Sequence, residues 1–323
     1  MSAVLVIRPS SLGDIVYALA VVSDIHRHRP DSAIDWVAER GFAPLVALCP
    51  DVRTIIPFAL RRWRREPLAR TTWRDIGAFR RNVRAARYAA ILDLQEQVKG
   101  AIIARTARGR RHGFDRASVR EPLATLAHDA HHHVPRHLHF VERCRRLAGA
   151  ALGYPIEGPP RWHFALPAAP AELPARPYVA LLTATSRADK LWPEAHWRAL
   201  IEHFDRAGLA TLLLWGSPEE EARSRRLAAG VASAIVPSRV SMPDAAALLA
   251  RAELAVGVDT GFTHLAAALG TATIGLFFAT DPTVHGVACT GTHALDLGQE
   301  HRMPAPDDVI AAAGALLRAA PRC

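Results

Sequence analysis

The sequence predicts an α/β protein made of two doubly wound parallel-sheet domains, and three observations carry that reading. Its 323 residues are too many for one ordinary core and suit two units of roughly 150 residues. Short, continuously apolar runs alternate with segments of helical periodicity in both halves, as expected of strands buried on both faces and joined by crossover helices. Between them, prolines at 155, 159, 160, 167, 170, 174 and 177 exclude long helices and central strands. The domains are therefore placed at residues 1–165 and 166–323, and two such lobes imply a cleft.

In the first domain Ala3–Ile7 is the opening strand, followed by a turn at Pro9 to Gly13. A helix begins at about Asp14, with Ile15, Leu19, Val22 and Ile25 at helical spacing. Runs at 33–37, 54–56 and 89–94 read as strands, and 75–87 and 99–108 as helices. In the second domain the strands are expected at 178–182, 210–214, 254–258 and 273–277. Helices are expected near 194–207, 219–229, 244–251 and 264–269, with packing on the first domain open to the last helix of the chain. The restart is a similarity of fold, without a short-period repeat.

Half of the residues are hydrophobic and 22% are charged, which supports packed cores and excludes disordered or fibrous classes. The formal charge of +9 is uneven: residues 1–170 carry 27 Lys and Arg against 15 Asp and Glu, and residues 171–323 carry 13 against 16. The first half is thus suited to an anionic partner, whether nucleic acid, membrane surface or phosphorylated ligand. Of 40 basic residues only Lys99 and Lys190 are lysine. Most arginines then reflect composition, and the two lysines mark sites that need a compact ammonium on a flexible stem. Cys49, Cys144, Cys289 and Cys323 show no paired spacing and read as reduced thiols. The apolar stretch at 15–22 is far shorter than the roughly 20 residues of a membrane span, and no export signal is visible; a cytoplasmic protein is expected.

Ligands of open α/β sheets bind beyond the carboxyl ends of the strands, so the loops after predicted strands hold the candidate residues. Ser10-Ser11-Leu12-Gly13-Asp14 follows the first strand, and Asp14 is either a functional carboxylate or a helix N-terminal acid favoured by the macrodipole. The segment from Thr183 through Thr185, Ser186, Arg187, Asp189 and Lys190 to Trp192-Pro193 gathers hydroxyls and a cation after a strand, as phosphate binding requires. It lacks P-loop spacing, and its alternative is a solvated loop. In Val258-Asp259-Thr260-Gly261-Phe262-Thr263-His264, Gly261 permits close backbone approach and helix amides can receive a phosphate; the alternative is a turn capped by Asp259 or Thr260. Glu219, Glu220 and Glu221, after Trp215-Gly-Ser-Pro218, stand where a ribose diol can be held, or they simply enrich a first helical turn in acid. Arg61-Arg62-Trp63-Arg64-Arg65, with Arg116 and Arg120, is either a face for phosphate and carboxylate or a solvated loop. His131, His132 and His133, with His128, His137 and His139 nearby, lack the spacing of a metal site, and no metal is expected.

Taken together, these segments strongly resemble glycosyltransferase family 9, the heptosyltransferases that build the lipopolysaccharide core. The likeness covers nearly the whole chain. It rests on Ser10-Ser-Leu-Gly-Asp14, Ile56-Pro-Phe-Ala-Leu-Arg61-Arg-Trp-Arg64, Arg120-Glu-Pro-Leu123, Asp189-Lys-Leu-Trp-Pro193, Trp215-Gly-Ser-Pro218 and Asp259-Thr-Gly-Phe-Thr-His264. The resemblance implies the GT-B fold, two Rossmann-like domains facing across a cleft, with acceptor binding in residues 1–165 and nucleotide-sugar binding in 166–323. It implies transfer of heptose from ADP-L-glycero-D-manno-heptose to a Kdo residue of Kdo2-lipid A, with Asp14 as the catalytic base and Lys190 as the phosphate cation. Thr185, Ser186, Glu220, Asp259, Thr260, Gly261 and His264 then fall on the donor side. Ser10, Gly13, Arg61, Arg62, Arg64, Lys99, Arg120 and His139 fall on the acceptor side. Ala188 stands where relatives often carry an acid, and Phe278-Ala-Thr-Asp281-Pro lacks a glycine often found there; both departures bear on donor contacts.

The reaction expected is an inverting displacement without cofactor or metal, since no two aspartates lie two residues apart as in the Asp-x-Asp motif of many metal-dependent glycosyltransferases. Three rival readings stand beside it. A nucleic-acid-binding protein fits the basic charge and the arginine runs but leaves the second domain's phosphate turns unused. An NAD-dependent oxidoreductase lacks the G-x-G-x-x-G after the first strand. A sister heptosyltransferase adding a later heptose is nearest, and residues 61–65 with Arg120-Glu-Pro favour the first transfer. No nucleic acid is expected as partner; a peripheral position on the anionic cytoplasmic face of the inner membrane is.

Overall fold

Every residue of β1 (Ala3–Ile7) is buried, as a strand sandwiched between helical layers must be. In the computed structural model, residues 2–168, 170, 173–288 and 293–319 are described, and the chain divides into two units, Met1–Ala165 and Leu166–Cys323.

The first unit continues with α1 (Leu12–His28), β2 (Ala33–Glu39), α2 (Ala43–Val46), β3 (Val52–Phe58), α3 (Leu60–Arg65) and α4 (Arg70–Val83). Then come β4 (Arg87–Asp93), α5 (Val98–Thr106), β5 (Arg108–Phe114), a 3-10 turn at Pro122–Ala127, β6 (Ala130–His132) and α6 (Phe140–Leu152). Its parallel sheet has the order β3-β2-β1-β4-β5-β6. Leu5, Ile7, Val37, Ile56, Phe79 and Ile103 form the core against α4 and α5. On the other face α1 packs on α6, and Arg145 grips Asp24 through two hydrogen bonds of 2.7 and 3.1 Å in the buried seam between them.

The second unit runs β7 (Tyr178–Leu182), a 3-10 turn at Ala188–Lys190, α7 (Glu194–Arg206), β8 (Ala210–Leu213), α8 (Pro218–Ala228), β9 (Ala234–Ile235) and α9 (Met242–Ala250). It ends with β10 (Leu254–Val258), α10 (Gly261–Ala268), β11 (Thr273–Leu276), α11 (Pro282–His285), β12 (Ala294–Leu297) and α12 (Pro306–Ala319). The order is β12-β11-β10-β7-β8-β9, again parallel. Trp192, Trp197, Phe204, Leu254 and Ile274 build its core, and α12 adds Val309 and Ala313.

Counted from its own first strand, each sheet reads 3-2-1-4-5-6. The chain order reverses between the first and fourth strands, and the crevice at their carboxyl ends is where such sheets bind ligands. In the two units that point lies between β1 and β4 and between β7 and β10.

Some elements differ from the sequence reading. The first helix starts at Leu12, and residues 61–65 form most of helix α3 rather than a loop. The helix expected at 75–87 runs Arg70–Val83 and that at 99–108 ends at Thr106, because Arg87 and Arg108 already begin strands. Strand β5 reads Arg-Gly-Arg-Arg-His-Gly-Phe; its burial rises only toward the carboxyl end, so it shows no apolar run. Cys49 and Cys144 are free and buried, with burial pushing both thiols up to about 12; Cys289 and Cys323 lie outside the described residues.

Gly257, central in β10, lets α10 settle on the strand, where the Thr263 hydroxyl donates to the Val258 carbonyl at 2.7 Å. A Cβ there would meet Thr263 Oγ1 at 2.1 Å and Leu182 Cβ at 2.8 Å. Gly257→Ala is expected to lower unfolding stability by about 2 kcal/mol in urea titration, and a smaller loss is expected in a Thr263→Ala background, where the nearest clashing atom is gone.

Candidate active site

The first unit's switch point is built on the turn that leaves β1. Ser11 is the N-cap of α1, and the Asp14 carboxylate accepts from the Ser11 amide at 3.0 Å and from its hydroxyl at 2.7 Å. Arg8, missed in the sequence, lies 2.8 Å from the same carboxylate. Its guanidinium also donates to the Leu94 carbonyl and lies over the Phe140 ring, 4.7 Å from the centroid. All three Asp14 contacts fall on Oδ2, which leaves Oδ1 outside this network. Burial raises the Asp14 pKa, but the Arg8 charge and the Ser11 hydrogen bonds outweigh it and hold the carboxyl below its usual value. The helix N-terminal acid that the sequence offered as an alternative is therefore also an ionised, 28% exposed carboxylate.

The loop after β4 closes on this turn. Lys99 Nζ donates to Ser10 Oγ at 2.8 Å, and Gln95 Oε1 accepts from the Ser10 amide at 3.4 Å. Gly100 makes the approach possible: a Cβ would lie 2.4 Å from Asp93 Oδ1. Burial, with Arg8 nearby, holds the Lys99 pKa below its usual value. Gly13 lies buried in the first turn of α1.

The remaining acceptor-side candidates are spread over the same unit. Glu121 fixes the segment next to Arg120, its carboxylate accepting from the Val98 amide at 2.8 Å and its own amide donating to Glu96 O at 3.0 Å; Arg120 itself is exposed. On α3, Arg61 and Arg64 are exposed, while Arg62 is ion-paired with Asp75 of α4. His139 is the N-cap of α6, accepting from the Val141 amide at 3.3 Å, and meets Tyr17 of α1 edge-on at 5.4 Å. Four of the neighbouring histidines go to separate partners: His128 to Asp93, His131 to the Thr125 carbonyl, His132 to His112 and His133 to Asp115.

At the second unit's switch point, the loop after β7 brings Lys190 to Asp259, at the end of β10, with Nζ 2.5 Å from Oδ2. The same oxygen accepts from Thr280 Oγ1 at 2.7 Å, and Oδ1 lies 3.3 Å from His264 Nε2. Burial raises the Asp259 pKa, yet His264 and Lys190 override it and hold the carboxyl well below the usual range. Thr185 Oγ1 donates to the Asp259 carbonyl at 3.3 Å, and Ser186 is exposed on the same loop. Thr260 is the N-cap of α10, but its side chain makes no cap bond, so Gly261 and Phe262 open the helix with amides free of that competitor.

The acidic turn resolves into different tasks. Ser217 and Glu220 form a capping box in which Glu220 Oε2 accepts from the Gly216 and Ser217 amides at 2.7 and 3.3 Å. Glu221 binds Arg225 at 2.6 Å, and Glu219 is exposed. Two residues the sequence reading passed over also belong here. Thr280 follows β11 and reaches Asp259, and Arg223 clamps the loop by donating to the Thr183 and Trp192 carbonyls at 3.0 and 2.7 Å. The signal for Arg8 was an arginine directly after a fully apolar strand; nothing in the spacing singled out Thr280.

The profile of Glycosyltransferase family 9 (heptosyltransferase) matches residues 76–305. Lipopolysaccharide heptosyltransferase 1 of Salmonella typhimurium is 40% identical over 289 residues, covering 88% of this chain and 90% of that protein. Among solved structures, the Escherichia coli heptosyltransferase WaaC with ADP superposes with a TM-score of 0.89 at 35% identity, over 97% of this chain and 99% of that one. The same enzyme with ADP-2-deoxy-2-fluoro heptose gives 0.86 at 34% identity over the same shares.

The Arg8–Asp14 pair makes stability depend on pH with a definite sign. A carboxyl held below its unfolded value stabilises the fold above that value, and the contribution disappears as pH falls through the folded one. Breaking a buried pair costs about 3–5 kcal/mol; with Asp14 partly exposed, Arg8→Met is expected to cost about 2 kcal/mol at pH 7. Acid unfolding followed by circular dichroism should begin at higher pH in this variant than in the wild type.

Proposed function

The chain belongs to glycosyltransferase family 9, the heptosyltransferases, and from that premise we propose that it transfers L-glycero-D-manno-heptose from ADP-L-glycero-D-manno-heptose to a Kdo residue of Kdo2-lipid A, the first heptose of the lipopolysaccharide inner core. The observation that carries the reading is Lys190 held on Asp259 at the second switch point, beside the uncapped amides that open α10. A cation, hydroxyls and helix amides at one crevice form a diphosphate site.

On the donor side, Lys190, Thr185, Ser186 and the amides after Thr260 take the diphosphate, with Gly261 allowing close approach. Asp259 and His264 orient Lys190 and the turn. Glu220 takes the ribose: one of its oxygens is held by amides and fixes the side chain, while Glu221 is committed to Arg225. On the acceptor side Arg61, Arg64 and Arg120 present guanidinium forks to carboxylate and phosphate groups, with Arg62 anchored to Asp75 and Lys99 positioning Ser10. Gly13 and His139 shape the turn and the helix packed beside it.

Asp14 is the general base. Oδ2 is held by Arg8 and Ser11, and Oδ1 takes the proton of the attacking hydroxyl. A carboxylate of lowered pKa is a weak base, so proton transfer follows bond formation at the anomeric carbon, where the hydroxyl becomes acidic. Direct displacement inverts that centre. Charge grows on the leaving ADP, and Lys190 with the α10 amides stabilises it, taking the place of a metal.

No helix among the described residues is long and apolar enough to cross a membrane. The enzyme acts in the cytoplasm on a lipid acceptor, in peripheral contact with the inner membrane.

The test is ADP release from ADP-L-glycero-D-manno-heptose, with and without Kdo2-lipid A, in excess chelator. Wild type should release ADP only with acceptor. Asp14→Ala should remain folded, less stable by the loss of the Arg8 pair, and lose about 10²- to 10⁴-fold in turnover. Near-normal turnover of Asp14→Ala removes the base assignment, and activity that needs added divalent metal removes metal independence. Release only with an already heptosylated acceptor reassigns the chain to a later transfer. Because the Arg8 charge and the Ser11 hydrogen bonds hold the Asp14 carboxyl below its usual value, the acid limb of kcat/KM should move to higher pH in Arg8→Met than in the wild type.

A further inference from the structure

One face of the first unit carries apolar side chains that the core does not use. Ile102 on α5 is 62% exposed, and Leu123 and Leu126 on the neighbouring 3-10 turn are 70% and 78% exposed. With Val98 they line an open groove of about 490 Å³ whose charged lining is entirely basic: Arg80 from α4, Arg84 that caps it and Arg105 from α5. None of the three arginines enters an ion pair among the described residues; Asp129, the acid that feels the Arg105 charge, is held by Arg111 at 2.9 Å.

Helical geometry explains the clustering. Val98, Ile102 and Arg105 are spaced four and three apart, so they share a face of α5. Leu123 and Leu126 are three apart and eclipse in a 3-10 turn. On α4, Trp73 falls within about 40° of Arg80 and Arg84, and it is 64% exposed. Soluble monomers seldom expose grouped large apolar side chains without a partner. The charge pattern selects that partner: apolar side chains flanked by arginines, with tryptophan on the same helix face, match the layered chemistry of a bilayer surface, acyl chains beneath anionic headgroups.

We propose that this face, formed by α4, α5 and the 3-10 turn at Pro122–Ala127, is the surface by which the protein docks on an anionic phospholipid bilayer. The proposal rests on the reading that the enzyme works on a lipid-borne acceptor, and it locates the contact on α4, α5 and the 3-10 turn, beginning at Val98 beside Lys99 of the switch-point loop. Leu123 and Leu126 enter the acyl boundary, and the arginines hold the headgroups.

The experiment is co-sedimentation of the full chain with vesicles of phosphatidylethanolamine and phosphatidylglycerol, against vesicles of phosphatidylcholine, without acceptor. Two variants are compared with wild type, Ile102→Ser/Leu126→Ser and Arg80→Glu/Arg84→Glu/Arg105→Glu. Wild type should prefer the anionic vesicles and weaken with added salt, and each variant should lose at least about tenfold in binding. Both variants should keep wild-type turnover on a deacylated, water-soluble Kdo acceptor. Failure of the wild type to bind, or variants that bind as well as it does, overturns the proposal. So does a dimer in sedimentation velocity that dissociates in Ile102→Ser/Leu126→Ser, which assigns the face to a second copy. Loss of turnover with vesicle binding intact touches the transferase reading alone, and loss of vesicle binding with turnover intact touches this proposal alone.

Discussion

The reversal of strand order between the first and fourth strands of each sheet is the constraint on which the rest depends. Crossover connections on either side of that point leave toward opposite faces, so the loops beyond the two strands face each other with no helix between them. In the first unit these loops are 8–14 and 94–99, and in the second 183–190 and 259–261. Each pair is tied by a lysine, Lys99 to Ser10 and Lys190 to Asp259, and these are the two lysines of the chain. In a protein that spells nearly every other cation as arginine, both lysines place a compact ammonium on a flexible stem between two loops.

The two crevices differ in how they handle charge. In the first unit Arg8 sits at the end of a buried strand and Arg143 on α6, 2.5 Å from Glu96, with Phe140 between the two guanidiniums at 4.7 and 5.6 Å. Burying these charges is favourable only because each has a carboxylate, a carbonyl or a ring face to meet. In the second unit one carboxylate, Asp259, gathers Lys190, His264 and Thr280, and the arginine of that region, Arg223, acts on backbone carbonyls instead.

The parts of this architecture legible in the sequence were those with strong local signals. The apolar strands β1, β7 and β10 lie at Ala3–Ile7, Tyr178–Leu182 and Leu254–Val258 as read, and the two compact units meet at Ala165 and Leu166, inside the proline-rich stretch 155–177. The Asp14, Lys190 and Asp259 turns could be found because each follows such a strand. Legibility failed where burial is one-sided or supplied by distant elements. Strand β5 and helix α3 are written in arginine, and their positions come from the sheet edge and from Asp75 rather than from local periodicity. Thr280 joins the candidate site only through its contact with Asp259, which spacing cannot reveal, and Arg8, although it directly follows an apolar strand, shows its contacts with Asp14 and Leu94 only in the fold.

The Lys190–Asp259 pair has a kinetic side as well. A ligand anion that takes Lys190 has to displace a carboxylate that is part of the same protein, and a tethered competitor acts at a high effective concentration that dilution never lowers. Binding is correspondingly weaker than the bare cation would give, and departure is easier, because Asp259 recaptures the ammonium as the anion leaves. In the proposed function the pair is an internal counter-ion, which limits how long a spent nucleotide stays on Lys190.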